Sequence, residues 1–399
     1  MDAVPESRQS GGFLGEWMSA ISTVNENPVA GWLMTARERR TQRYPLVRKL
    51  IVPVAISLVF LFSFLYAQRN SALISSSSLV ELVTIMLTVS ILPAVFFWAL
   101  TGIFTAVQES LSLLADESKS KTSLTIDDMV SVSQMSSADI AVGALQVIMP
   151  QLFWRALALS LCFWWLMLML TSMFGVDLRA ESFINTWIWG IVTVPLMLLS
   201  SLLACLALVL GCIAAGLHAR GTLVPLTAAV LVMGVSFAWS LVGGNMLIND
   251  QYVLLLTRPG SIYGSIVFLV LAFLVALLVR RPGSSRAGLA ILLPVLAAAT
   301  MYLFFRFVVP NQEGISSMLV SLAAGFMRSW GSFSLVNPLF VPTAASWGDV
   351  FGRNPVTAEG GFGSSLEMRW MIGFLTQLGL VWINAWLAWQ CINRKRSSH

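Results

Sequence analysis

Two short patterns pair a hydroxyl with a carboxylate three residues on: Thr125-Ile-Asp-Asp128 and Ser136-Ser-Ala-Asp139. In such a box the hydroxyl accepts a hydrogen bond from the third helical N–H, and the acid reaches back to the first residue's own N–H. The acids also sit at the positive ends of the helix dipoles. The chemistry on offer is therefore helix initiation. The pair predicts a short helix over 126–133, a break near Gln134–Met135, and a new helix from about 137. That helix runs on through Gly143 toward a bend at Pro150. Upstream, DESKSKTS (116–123) reads as a charged connector.

Reactive chemistry is sparse elsewhere. The only histidines are His218 and His399, too few and too far apart to read as haem ligands between helices. Cys162, Cys205, Cys212 and Cys391 lie in or beside apolar runs at no metal-binding spacing, and read as buried small hydrophobes. No G-x-x-x-x-G-K-[ST] or H-E-x-x-H occurs, so phosphate-loop and zinc-peptidase chemistry are not expected on this chain. An enzyme acting on lipid would have to draw on Glu313, Asp349 and Glu359, which read as solvated loop charges. No catalytic residue, cofactor or metal is expected.

The elements that position these residues follow from composition. The chain has 399 residues, of which 57% are hydrophobic and 11% charged, against about a quarter charged in a soluble domain. Runs long enough to cross a bilayer as helices recur. Eight are expected, at roughly 50–67, 79–107, 152–174, 184–214, 223–243, 261–279, 287–309 and 369–391. The fold class expected is all-α: a polytopic transmembrane bundle of about eight spans, preceded by an amphipathic interfacial helix. With the N-terminus inside, 17 of the 24 Lys and Arg fall on the inner side. That bias puts both termini in the cytoplasm of a cell inner (plasma) membrane. The net charge of +5 then reads as an orientation signal, and no basic face for nucleic acid is seen.

Four regions result. Residues 1–49 form a cytoplasmic N-terminal region, with neither a cleaved signal nor a lipidation motif expected. Residues 50–309 hold seven spans and the polar segment 108–151. Residues 310–368 form an extracytoplasmic segment that reads equally as a re-entrant or surface element and as a loop packed on helix ends. Residues 369–399 hold the last span and a basic tail. Within the first region, Asn27-Pro28 reads as a cap followed by proline at the first helical position. Val29, Trp32, Leu33 and Ala36 then recur at helical spacing, and Arg37, Glu38, Arg39, Arg40 and Arg43 follow. This predicts a helix in the inner headgroup layer, tryptophan side down and arginine side toward anionic lipid.

The middles of the spans lack Asp, Glu, Lys and Arg, so an ion-coupled pump is not favoured. Asn185, Gln377 and Asn384 read as hydrogen-bonding glue between helices. If the chain moves a substrate, the energy comes from elsewhere.

The run Thr125–Gly143 resembles the cytoplasmic signature of ABC-2 type transporter permeases, the membrane subunits of one class of ABC exporters. Thr125, Met129, Ser136, Ser137, Asp139, Ile140 and Gly143 sit at matching places. The family's proline is replaced at Gln134 or Met135, and its lysine after the glycine by Ala144. Asn27-Pro28-Val29 with the Arg37–Arg40 cluster resembles the family's interfacial helix, and AAGLHARGTLVPLT (214–227) its link after the fourth span. The resemblance covers roughly residues 27–240. It implies a permease without catalytic residues, paired with a second permease subunit and driven by a separate ATPase. The docking residues it implies are Thr125, Ile126, Asp127, Asp128, Met129, Met135, Ser136, Ser137, Asp139 and Gly143. The lever in the membrane plane comprises Asn27, Pro28, Trp32, Arg37, Glu38, Arg39 and Arg40. The alternative is a non-transport scaffold or assembly subunit of a larger membrane complex.

Overall fold

The computed structural model describes residues 12–24, 27–31 and 34, helical residues between 91 and 110, residues 135–173, helical residues between 195 and 217, and residues 261–279 and 366–397. The expected spans at 50–67, 223–243 and 287–309, and the segment 310–365, lie outside the described residues. Every regular element among the described residues is helical, and none is a strand.

Helix α1 spans Phe13–Ser22. It begins after Gly12 without a side-chain cap, with Glu16 in the favourable first turn. It closes on the Ser19 carbonyl, which accepts from the Thr23 N–H at 3.2 Å and from the Ser22 hydroxyl at 2.7 Å. Phe13, Trp17 and Ala20 share one side of it, at helical spacing.

Helix α2 spans Ser137–Met173, 37 residues. At 1.5 Å per residue it is about 55 Å long, against about 30 Å of hydrocarbon. The expected span at 152–174 is thus the later part of a helix that starts at Ser137. Pro150 lies inside it and removes the N–H that Gln146's carbonyl would otherwise receive. Ser137–Cys162 is, by length and composition, the one helix among the described residues able to cross a membrane.

Helix α3, Ser261–Val279, has the expected bounds. Helix α4 spans Leu366–Ser397, starting before the expected 369 and running past 391. A further helix occupies Ser201–Ala214.

One apolar cluster joins these pieces. It gathers Ala99, Ile103 and Ala106; Ile140, Ala141, Ala144, Leu145 and Ile148 of α2; Ala204, Val209, Leu210 and Ile213; Ala276 of α3; and Ile383, Ala385, Leu387, Ala388 and Ile392 of α4. The C-terminal parts of several helical stretches thus converge on the N-terminal part of α2. Many of the residues are alanine, and small side chains let helix backbones approach closely. Asn384 of α4 adds a polar tie, its Nδ2 donating to the Ala207 carbonyl at 2.8 Å, as expected of an interhelical amide. Gln377 is buried. All four cysteines are buried and free.

Candidate coupling site

The start of α2 is built by the second hydroxyl–acid pair. Ser136 caps it: its Oγ accepts from the Asp139 N–H at 3.1 Å. Asp139 Oδ2 accepts in return from the Ser136 N–H at 3.0 Å and from the Ser136 hydroxyl at 2.8 Å. This is the reciprocal box that the spacing predicts. The first α-helical bond follows, from the Ile140 N–H to the Ser136 carbonyl at 3.3 Å. A helix begun this way has a fixed origin, and an isolated Ser or Asp cap is worth about 1 kcal/mol.

Asn27 joins the N-terminal segment to that origin with its two ends. Its Oδ1 accepts from the Val29 N–H at 3.0 Å, capping the helix that opens at Pro28. Its Nδ2 donates to the Asp139 carbonyl at 2.8 Å. One amide thus starts one helix while gripping the first turn of another. Gly143, one turn further along α2, makes the approach possible. A Cβ there would lie 2.8 Å from Val29 Cβ and 3.0 Å from Asn27 Oδ1. Glycine is needed here for the close contact of two backbones.

Helix α1 and the end of α4 cover the remaining sides. Ala20 of α1 packs with Ala138 and Val142, against Trp17, Val24 and Trp389. The Trp389 indole N–H donates to Glu16 Oε2 at 2.9 Å. Phe13 meets Trp382 and Trp389 edge-on, at ring distances of 5.9 and 5.6 Å. Ser137 hydrogen-bonds Asn393. Met135 packs, half-buried, on the main cluster.

Of the residues the sequence singles out, the structure therefore brings together Asn27, Pro28, Met135, Ser136, Ser137, Asp139 and Gly143. Ser137, Asp139 and Gly143 are buried by the chain's own N-terminal and C-terminal segments. Thr125, Ile126, Asp127, Asp128 and Met129, and likewise Trp32, Arg37, Glu38, Arg39 and Arg40, lie outside the described residues. Absent from the sequence expectations are Glu16, Trp389, Asn393 and the whole of α1. Phe13, Trp17, Ala20 and Val24, at intervals of four, three and four, are the signal that could have revealed it.

Chemically, the arrangement ties the N-terminal segment, the start of α2 and the end of α4 together. Ser136, Ser137, Asp139, Asn27 and Glu16 are spent on capping and on tying segments together. Among the described residues no three His, Cys, Asp or Glu side chains gather as a metal site would need. No family model, curated protein or solved structure matches the chain.

Proposed function

We propose that the chain is the membrane-spanning permease subunit of an ABC-type exporter, driven by a separate ATPase that docks on the 125–143 segment from the cytoplasm. The observation that carries this reading is the joint at Ser136–Gly143. There a capped helix origin, gripped by Asn27, continues without interruption into the apolar stretch Ser137–Cys162. Force applied just before Met135 meets the capped, fully packed first turns of α2, and the N-terminal segment moves with them. Rigid packed elements of this kind transmit displacement between discrete arrangements. The topology has support of its own. The helix ends that alternation puts on the inner face, after the second, fourth, sixth and eighth expected spans, contribute to the same cluster as the start of the third.

Because Ser137, Asp139 and Gly143 are held by the chain itself, the docking contact falls to Thr125–Met129. The test is purification of the full chain in mild detergent and identification of what accompanies it. The proposal expects a nucleotide-hydrolysing subunit whose association responds to ATP, and loss of that subunit on Asp128→Lys or Met129→Arg. A partner set without an ATPase, unaffected by nucleotide, would favour the second reading, a static scaffold subunit. The burial of those same three residues gives that reading its specific support, since it narrows the surface left for a motor.

A further inference from the structure

Arg155 of α2 occupies a dedicated slot. Its guanidinium carbon lies 3.2 Å from the centre of the Trp98 ring. One of its N–H groups donates to the Trp98 carbonyl at 2.8 Å. Gly102, one helical turn after Trp98, leaves the room, for a Cβ there would stand 2.7 Å from both Cδ and Cζ of Arg155. The arginine is thus positioned by a ring face, a carbonyl and a missing side chain. Yet a guanidinium carries five N–H donors, and no carboxylate pairs with this one among the described residues. The group is half-buried, and a partly desolvated cation is costly until a counter-charge meets it. Immediately before it, Phe153 and Trp154 are exposed at 39% and 63%, edge-to-face at 5.6 Å. Exposed aromatics beside a cation are the composition of a lipid–water boundary.

We propose that Arg155, held by Trp98 and Gly102 and flanked by Phe153 and Trp154, binds the phosphate of an anionic phospholipid. The planar fork suits phosphate oxygens in pairs, and the exposed rings suit the glycerol and upper acyl region. The proposal rests on the membrane reading of α2, with the inner boundary at Arg155 where the expected span 152–174 begins, and is independent of any motor subunit.

The test uses the full chain in detergent, delipidated and titrated with phosphatidylglycerol or phosphatidylcholine, with bound lipid read by native mass spectrometry. The wild type should prefer phosphatidylglycerol by about five- to tenfold. Arg155→Gln should abolish that preference, and Arg155→Lys should keep part of it. Gly102→Val, which displaces the guanidinium while leaving its charge, should lose most of it. Trp154→Ala, at an exposed position, should weaken lipid binding about threefold. Millimolar inorganic phosphate should not compete; if it strips the lipid, free phosphate is the ligand and the lipid assignment is overturned. An unchanged preference in Arg155→Gln overturns the site while leaving the membrane reading standing. Release of the chain from membranes by alkaline carbonate would overturn the membrane reading itself, and this inference with it.

Discussion

The first three turns of α2 and the later turns of α3 are both apolar, yet they meet opposite surroundings. From Ser137 to Leu145 every α2 residue is buried. From Ile266 to Leu278 of α3, Ala276 is the one described side chain that is buried, while Ile266, Val267, Val270, Leu271, Phe273, Leu274 and Leu278 are exposed. Hydropathy ranks the two the wrong way, for the exposed α3 stretch is the more apolar; residue size follows the burial. SADIAVGAL admits neighbours on all sides, whereas IVFLVLAFLVALL meets them along one side, at Leu269, Ala272, Phe273 and Ala276. On the proposed membrane reading, where burial of apolar surface gains little between helices, small residues mark the contact and large ones the outer face.

Truncation tests the contrast most strongly. Ile148→Ala, in the fully buried part of α2, should cost about 3 kcal/mol through the cavity it leaves, read as a lowered thermal midpoint in detergent. Gly143→Val should cost about 2 kcal/mol by overpacking, because Val29 Cβ already stands within 2.8 Å of where a Cβ would be. It should also expose the 23–27 linker to protease, which Ile148→Ala should not. Asp139→Ala removes one half of the capping box and should cost about 1 kcal/mol. Its signature is faster amide exchange at 136–140, with the Asn27 bond to the Asp139 carbonyl surviving. Leu274→Ala on α3 should move stability by less than about 0.5 kcal/mol. A Leu274→Ala loss as large as that of Ile148→Ala would show that α3 is buried in the assembled protein and would erase the contrast.

Local rules made part of this legible in the sequence. The box at Ser136–Asp139 and the cap-and-proline at Asn27–Pro28 depend on residues within four positions of one another, the bounds of α3 on one unbroken apolar run, and each is found where those rules put it. What covers the start of α2 was not legible. Glu16 and Trp389 are 373 positions apart, and Ser137 and Asn393 are 256 apart. No periodicity links such pairs, and α1 was hidden by the polar composition around it. The slot for Arg155 shows the same limit: Trp98 and Gly102 read as ordinary residues of an apolar run until the guanidinium is seen lying between them. The residues that carry the resemblance and those that build the joint overlap at Asn27, Ser136, Ser137, Asp139 and Gly143, whereas Thr125 and Met129 lie outside the described residues.

The tie between Glu16 and Trp389 sets an order of events. Residues 13–29 emerge from the ribosome long before residues 382–393, yet their resting place is made partly of those later residues. Until α4 is in position, Phe13 and Trp17 have no aromatic wall to settle on and Ser137 has no Asn393. Ala138, Val142 and the Asp139 carbonyl can hold the early segment sooner, but its aromatic side stays open until the last helix arrives, so a chain stopped short of Trp389 should leave Phe13 and Trp17 open to protease.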